Sequence, residues 1–305
     1  MELFYKSYLP SGRFARFIAR YIIIADDGGH SAWRKMDSLP NGLPGLVFSF
    51  GEHFRYEIAG RPGSSKEISC GNIIGIHNCT YTGKWKDSLK AFVIIFKPLG
   101  LFHLLKQNMH ELKNDLTGLN LVGITEAAWI GEKLRLLPAH EQQIAFAEEW
   151  LEKRFSQKKL DYTITEYITE QIIERKGMVS IQGISGEMNI NKKYIERNFN
   201  YQLGLSPKEF AEIIRFNYLN TLMHREAASW KDLVYLGNFY DQSHLIKHFQ
   251  RITGLSPQAY KKIAGLQAGA QFLSRHNLFE LISATETSGL FLNLGNPASG
   301  ESANV

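Results

Sequence analysis

The sequence is poor in cysteine, with only Cys70 and Cys79 in 305 residues. Neither stands in a Cys-x-x-Cys pair or a Cys/His cluster. A structural zinc site, which takes about four such ligands, is therefore not encoded. Two reduced, partly buried thiols suit a chain that stays in the cytosol. Long apolar runs are missing too. No stretch of roughly 18 apolar residues occurs, so nothing reads as membrane-spanning. The opening Met1-Glu2-Leu3-Phe4-Tyr5-Lys6 lacks the apolar segment of a signal peptide, and a cytoplasmic location is expected. Sequence fingerprints of the common catalytic sites are absent as well: no Gly-x-Ser-x-Gly, no His-Glu-x-x-His, no Walker loop and no dinucleotide motif.

What is present is ordinary for a globular protein. Apolar residues make up 44% and charged residues 21%, enough to build a core. The length favours two domains. The net charge is +5 and the isoelectric point about 9.0, which is compatible with nucleic-acid binding. Residues 160–262 hold 13 Lys/Arg against 11 Asp/Glu, a net of only +2. Any DNA footprint must then come from local placement of charge.

The first hundred residues read as β-rich. Short apolar runs recur between Gly, Pro and Asn: Tyr21-Ile22-Ile23-Ile24, Leu46-Val47-Phe48-Ser49-Phe50, Ile73-Ile74-Gly75-Ile76 and Ala91-Phe92-Val93-Ile94-Ile95-Phe96. A sandwich or small barrel is expected over 1–98, with an apolar interior that a ligand could enter. From residue 99 the period becomes helical, with a long amphipathic run over about 125–155. The helical extension is placed at 99–157. A polar junction at Lys158-Lys159-Leu160-Asp161 marks the boundary to an all-helical domain, 158–263. The last residues, 264–305, are rich in Ala, Gly, Ser and Asn and are expected to be weakly ordered.

The strongest signal is an internal repeat. Residues 190–210 and 240–260 match at an offset of 50. Ile195 pairs with Leu245, Arg197 with Lys247, Phe199 with Phe249, and Phe210 with Tyr260. Gly204-Leu205-Ser206-Pro207 recurs identically as Gly254-Leu255-Ser256-Pro257. Each copy reads as a helix with an Asn191 or Asp241 cap, an inward i, i+4 apolar pair, and a glycine stop. Ser206 and Ser256 then cap a following helix with proline in its first position. A shorter helix precedes each copy, capped by Ser180 or Ser229, and turns at Asn189 or Gly237-Asn238. Helix, tight turn, and a second helix with a polar first turn is the arrangement that sets a recognition helix in a major groove. The recognition helices are expected near 191–203 and 241–252.

Residues 179–262 resemble the DNA-binding domain of AraC/XylS-type regulators. The resemblance rests on Phe239-Tyr240-Asp241-Gln242-Ser243-His244-Leu245-Ile246-Lys247-His248-Phe249, followed by Gly254-Leu255-Ser256-Pro257 and Tyr260. Val234 replaces a common alanine and Asn238 a common glycine. The N-terminal half is similar to the cupin-like sensor domain of some of these regulators, through Leu39-Pro40-Asn41-Gly42, Phe96-Lys97-Pro98-Leu99-Gly100-Leu101, Leu104-Leu105 and His110-Glu111-Leu112. The resemblance implies an α+β protein, a β-barrel or sandwich followed by two helix-turn-helix units. It also implies double-stranded DNA as partner, RNA polymerase and a small effector as further partners, and subunit pairing through the helices of 99–157.

On the same resemblance, Lys193, Glu196, Arg197, Gln242, Ser243, Ile246 and Lys247 fall at base-reading positions. Lys192 shares the exposed first turn. Arg and Lys suit guanine, Gln suits adenine, Glu can accept from cytosine, and Ile246 offers only apolar contact. Lys208, Arg215 and Lys231 are read either as phosphate contacts or as solvated surface. The alternative from another class is a cupin-type small-molecule enzyme or binding protein whose helical domain mediates assembly. A metal-dependent cupin enzyme would need a His-x-His pair, and His53 and His77 stand alone. No catalytic residue, metal ligand or cofactor is assigned.

Overall fold

The computed structural model describes residues 2–28, 33–51, 54–58, 63–68, 70–155, 162–225, 229–260, 278–282 and 287–293. Two antiparallel sheets face each other in the N-terminal half. The larger runs in the order β10-β7-β4-β9-β2-β1-β11, the smaller β3-β8-β5-β6. The strands of the large sheet are β1 (Glu2–Tyr8), β2 (Ile18–Asp26), β4 (Gly45–Ser49), β7 (Asn72–Ile74), β9 (Leu89–Phe96), β10 (Leu116–Gly118) and β11 (Thr287–Asn293). The small sheet holds β3 (Arg34–Ser38), β5 (Arg55–Ile58), β6 (Lys66–Glu67) and β8 (Tyr81–Trp85). The expected sandwich is thus present, although β10 and β11 come from outside residues 1–98.

Strand β2 explains why its sequence is apolar without alternation. It pairs with β9 in the register Ile22↔Val93, and both of its faces are covered. Ile22, Ile24, Val93 and Ile95 point between the sheets, where Phe54 and Tyr56 of the smaller sheet meet them. Tyr21 points the other way, stacks on Phe92, and reaches α3 (His140–Phe155), where its hydroxyl donates to Glu148. A strand run buried on two faces favours apolar residues without alternation, as over Tyr21–Ile24. The Trp85 indole N–H and Arg34 both donate to the buried Asp26 carboxylate, tying the two sheets together at one corner.

Helices α1 (Gly100–Leu105), α2 (Ala127–Leu136) and α3 cover the outer face of the large sheet. Then follow α4 (Ile164–Glu174), α5 (Ile181–Glu187), α6 (Lys192–Leu203), α7 (Pro207–Arg225), α8 (Trp230–Leu236) and α9 (Gln242–Thr253). The junction drawn at 158–161 lies outside the described residues. It does not separate two cores: a single cluster runs from Leu46, Phe92 and Leu101 through Trp150 and Ile168 to Ile195, Phe199 and Phe210. The second cluster gathers Phe216, Leu219, Leu233, Leu245, Phe249 and Tyr260, and it includes Leu39 from the β-domain. Val234 packs at the edge of this cluster.

The tail of 264–305, expected to be weakly ordered, is built into the fold at two places. A short helix, α10 (Leu278–Leu281), receives a hydrogen bond from the buried Arg20 Nε to Leu281 O, 3.0 Å. Strand β11 pairs antiparallel with β1. Without it β1 would be a sheet edge with unpaired backbone groups, and such edges recruit any available strand. Composition does not report that opportunity. The two cysteines are free, but Cys70 is exposed rather than partly buried.

The two glycine stops differ in surroundings. Gly204 and Gly254 have φ of +84° and +75°, the left-handed region that glycine adopts without cost. A Cβ on Gly254 would meet nothing within 4 Å, whereas one on Gly204 would lie 2.7 Å from Met109 O. Gly254→Ala should therefore lose about 1–2 kcal/mol from the left-handed conformation alone. Gly204→Ala should lose a further 1–3 kcal/mol or so from overpacking. Urea unfolding of the two variants tests the order, and equal losses would show that the Met109 segment does not press on Gly204.

Candidate nucleic-acid interface

Each recognition helix is formed by the local rules read from the repeat. Asn191 Oδ1 accepts from Lys193 N, 2.8 Å, and Asp241 Oδ1 from His244 N, 2.8 Å. Such caps stabilise a helix by about 1 kcal/mol each. Ser180 caps α5 through Gly183 N. Ser229 and Asp232 form a reciprocal capping box on α8. The turns are set by Asn189 and Asn238, both at φ +52°, a conformation that asparagine tolerates. Asn238 therefore does the work of the glycine it replaces. Helix α6 buries Ile195, Phe199 and Leu203, and α9 buries Leu245, His248, Phe249 and Ile252.

The opposite faces carry the candidate contacts. Lys192, Lys193, Arg197, Gln242, Ser243 and Lys247 are exposed, while Glu196 and Ile246 are half-buried. A cleft of about 840 Å³ opens between the two units. It brings together Lys192 and Glu196 of α6, Lys208 and Arg215 of α7, and Lys247 of α9. Lys193, Arg197, Gln242, Ser243 and Ile246 do not line it, and Lys231 stands exposed on α8 away from it. Two members are partly neutralised: Lys192 Nζ lies 3.7 Å from Glu196, and Arg251 Nη2 lies 2.9 Å from Glu212. The lining still holds Lys192, Lys208, Arg215, Lys247 and Arg251 against Glu196 and Glu212, so the cleft is positive.

Arg215 lines this cleft without being fully exposed. It is half-buried, its guanidinium sits over the Phe239 ring at 5.1 Å, and its Nε has no hydrogen-bond partner. Burial lowers its pKa from the ordinary arginine value, helped by Arg251 and opposed by Glu212. Arg197 is better placed to leave the surface, resting over the exposed Tyr194 ring at 5.6 Å. Sequence reading passed over Arg251, although its i, i+4 spacing from Lys247 puts it on the same face. It also passed over Tyr240, 93% exposed beside the Asp241 cap.

The interior of the β-domain is nearly filled. A chamber of about 80 Å³ remains between the sheets, lined by aliphatic side chains with Tyr56, Asn41 and His77. Ordinary ligand pockets run to about 300–1,000 Å³. Both ring nitrogens of buried His77 lack a hydrogen-bond partner. Burial pushes its pKa down to about 4, against a smaller opposite pull from the carbonyls of Gly75 and Leu39, neither of which reaches bonding geometry. Among the described residues no three His, Cys, Asp or Glu cluster as a metal ion would require. His53 lies outside the described residues. No helix among them is long and apolar enough to cross a membrane.

Comparison with known proteins agrees with this geometry. Residues 184–263 match a family model described as a helix-turn-helix domain. Residues 6–117 match one described as a domain of unknown function, DUF6597. A search of curated proteins gave no match. Solved structures of ToxT from Vibrio cholerae are 14% identical, with a TM-score of 0.44, covering 79% of this chain and 98% of that one. An unsaturated fatty acid-bound ToxT gives the same score and identity, covering 79% and 94%. The AraC-like transcriptional activator CuxR is 14% identical, with a TM-score of 0.28 over 76% and 90%. These overlaps are loose. The C-terminal region is a DNA-binding domain of the helix-turn-helix class. Its paired units are each closed by Gly-Leu-Ser-Pro, a feature on which the resemblance to AraC/XylS-type regulators rests.

The two buried histidines predict a pH dependence. His248, like His77, is pushed down by burial, to about 3, with Arg251, Arg215 and His244 adding to the effect. Both are neutral in the folded chain, while the unfolded chain binds protons from about pH 6.5 downward. Their contribution to stability is complete above that value and is lost as pH falls toward 4. The thermal midpoint should drop between pH 7 and pH 4.5, and less so in His77→Leu. Parallel pH profiles for wild type and variant would mean that His77 is not held neutral.

Proposed function

We propose that the protein is a transcription regulator that recognises a two-part DNA site, with α6 and α9 in successive major-groove segments roughly 34 Å apart. The observation that carries this reading is the pair of capped helices whose polar first turns are exposed on either side of a positive cleft. Lys193, Arg197, Gln242, Ser243 and Lys247 read bases, with Glu196 and Ile246 behind them. Lys192, Lys208 and Arg251 hold phosphates that pass over the cleft. Lys231 meets the backbone flanking the second unit. RNA polymerase is the further partner of a bound regulator.

The N-terminal half serves as the sensor. The neutral His77 ring supplies a hydrogen-bonding group for an uncharged effector, and the chamber must widen to admit more than a few heavy atoms. Two chains pair through α2, where Trp129 and Leu136 are exposed. A single-chain mass in sedimentation at high concentration, with and without DNA, would remove that element.

Substitutions separate base reading from phosphate anchoring. Arg197→Ala and Lys247→Ala should each lose about 1–3 kcal/mol at a selected site and much less on random DNA. Lys208→Ala should weaken both alike and reduce the salt slope by about one unit. Competition binding at two salt concentrations checks this. Equal losses on both DNAs for Arg197→Ala and Lys247→Ala would mean that neither residue reads sequence.

A further inference from the structure

The β-domain touches both helix-turn-helix units, and it touches them from behind. At the first unit, Lys113 Nζ and Asn78 Nδ2 reach Glu209 Oε1 at 2.7 and 2.9 Å. Glu209 also closes the capping box of α7 with Ser206. At the second unit, Thr80 Oγ1 donates to Ile252 O at 3.3 Å. Leu39 is 8% exposed and packs inside that unit's own core. Between the two, Asn217 of α7 is 2% exposed, and its amide donates to Pro40 O at 2.9 Å.

These contacts fall at the wrong end of the recognition helices to block DNA. Ile252 lies ten residues beyond Gln242, about 15 Å along the axis at 1.5 Å per residue. The stop of α6, Gly204, abuts Met109, while Lys192 and Lys193 at its start are exposed. Without the β-domain, α7 is the element that packs on both α6 of the first unit and α8 and α9 of the second. With it, the loops holding Leu39, Pro40 and Thr80 form a second, independent brace.

We infer that the β-domain is a positioning device: Leu39, Thr80 and the Pro40–Asn217 contact fix the second recognition helix relative to the first and thereby set the spacing of the two half-sites. The inference rests on the two-part DNA reading above. Leu39, Thr80 and Asn217 touch no DNA in it and are positioning residues.

The test uses the full chain and a duplex selected from a random pool. Binding is compared between that duplex and one with two base pairs inserted between the half-sites, a rotation of roughly 70° at about 10.5 base pairs per turn. Wild type should lose at least about tenfold on the insertion, the loss typical of a mismatched site. Thr80→Val and Leu39→Ala should weaken binding to the selected duplex and shrink the insertion penalty to about threefold or less. Thr80→Ser, which keeps the hydroxyl, should behave as wild type. Thermal unfolding identifies any variant that fails to fold, and the isosteric Thr80→Val carries the test if Leu39→Ala does not fold. An unchanged insertion penalty in the variants would overturn the inference, because α7 would then suffice. Tighter binding of the variants would overturn it too, because the brace would oppose DNA. A wild type with no preference for any duplex would instead remove the DNA-binding reading and the inference with it.

Discussion

Helix α7 belongs to two cores at once. Its first half, with Phe210, Ala211, Ile213 and Ile214, completes the cluster that runs back into the β-domain. Its second half, with Phe216, Leu219, Leu222 and Met223, is the floor of the second unit. A continuous helix of 19 residues leaves no hinge between them. Every other feature of the C-terminal region depends on this shared element. The recognition helices are placed by packing on α7, and the cleft exists because α7 holds them apart. Asn217 stands at the changeover. Its Nδ2 donates to Pro40 O and to Ile213 O, and its Oδ1 accepts from the backbone of Leu278. One buried amide thus joins the helix, the Pro40 loop and the Leu278 segment.

The β-domain follows a different logic. The central runs of its β2 and β9 strands are apolar without alternation because sheet partners, α3 and the facing sheet enclose them. Close packing leaves little free volume, and the remaining chamber gathers around His77 and Asn41. The loops that line this chamber also carry Leu39, Pro40, Asn78 and Thr80, which grip the helices. Chamber and grip are therefore separated by one to three residues along the chain.

Charge acts locally. The helical region carries a net charge of only +2, and several acids are occupied by neighbours. Glu209 is held below its ordinary pKa, with Lys113 and Ser206 outweighing its burial. Glu212 is taken by Arg251. Positive potential survives in the cleft because Lys192, Lys208, Arg215, Lys247 and Arg251 line it against Glu196 and Glu212. An exposed ion pair such as Lys192–Glu196 contributes little to stability, so it can open for DNA.

Local physics made the helix-turn-helix units legible without coordinates. Caps, glycine stops and Asn turns act over three or four residues, and a repeat at a fixed offset of 50 doubles each of these signals. The recognition helices accordingly begin where Asn191 and Asp241 place them. The sandwich was legible as strands but not as pairings, because an apolar run does not name its neighbour. Strand β11 joins β1 from a segment whose composition suggested a loose tail. Arg215 looked like any basic surface residue, yet it lies under Phe239 because α7 meets the α8–α9 turn there. Local sequence sufficed to place two capped helices and the side chains they expose, since these are properties of single helices. Tertiary structure alone decided that Leu39 enters the second unit's core and that Thr80 reaches Ile252. Such contacts join residues more than 170 positions apart, and no local preference encodes a distance of that kind.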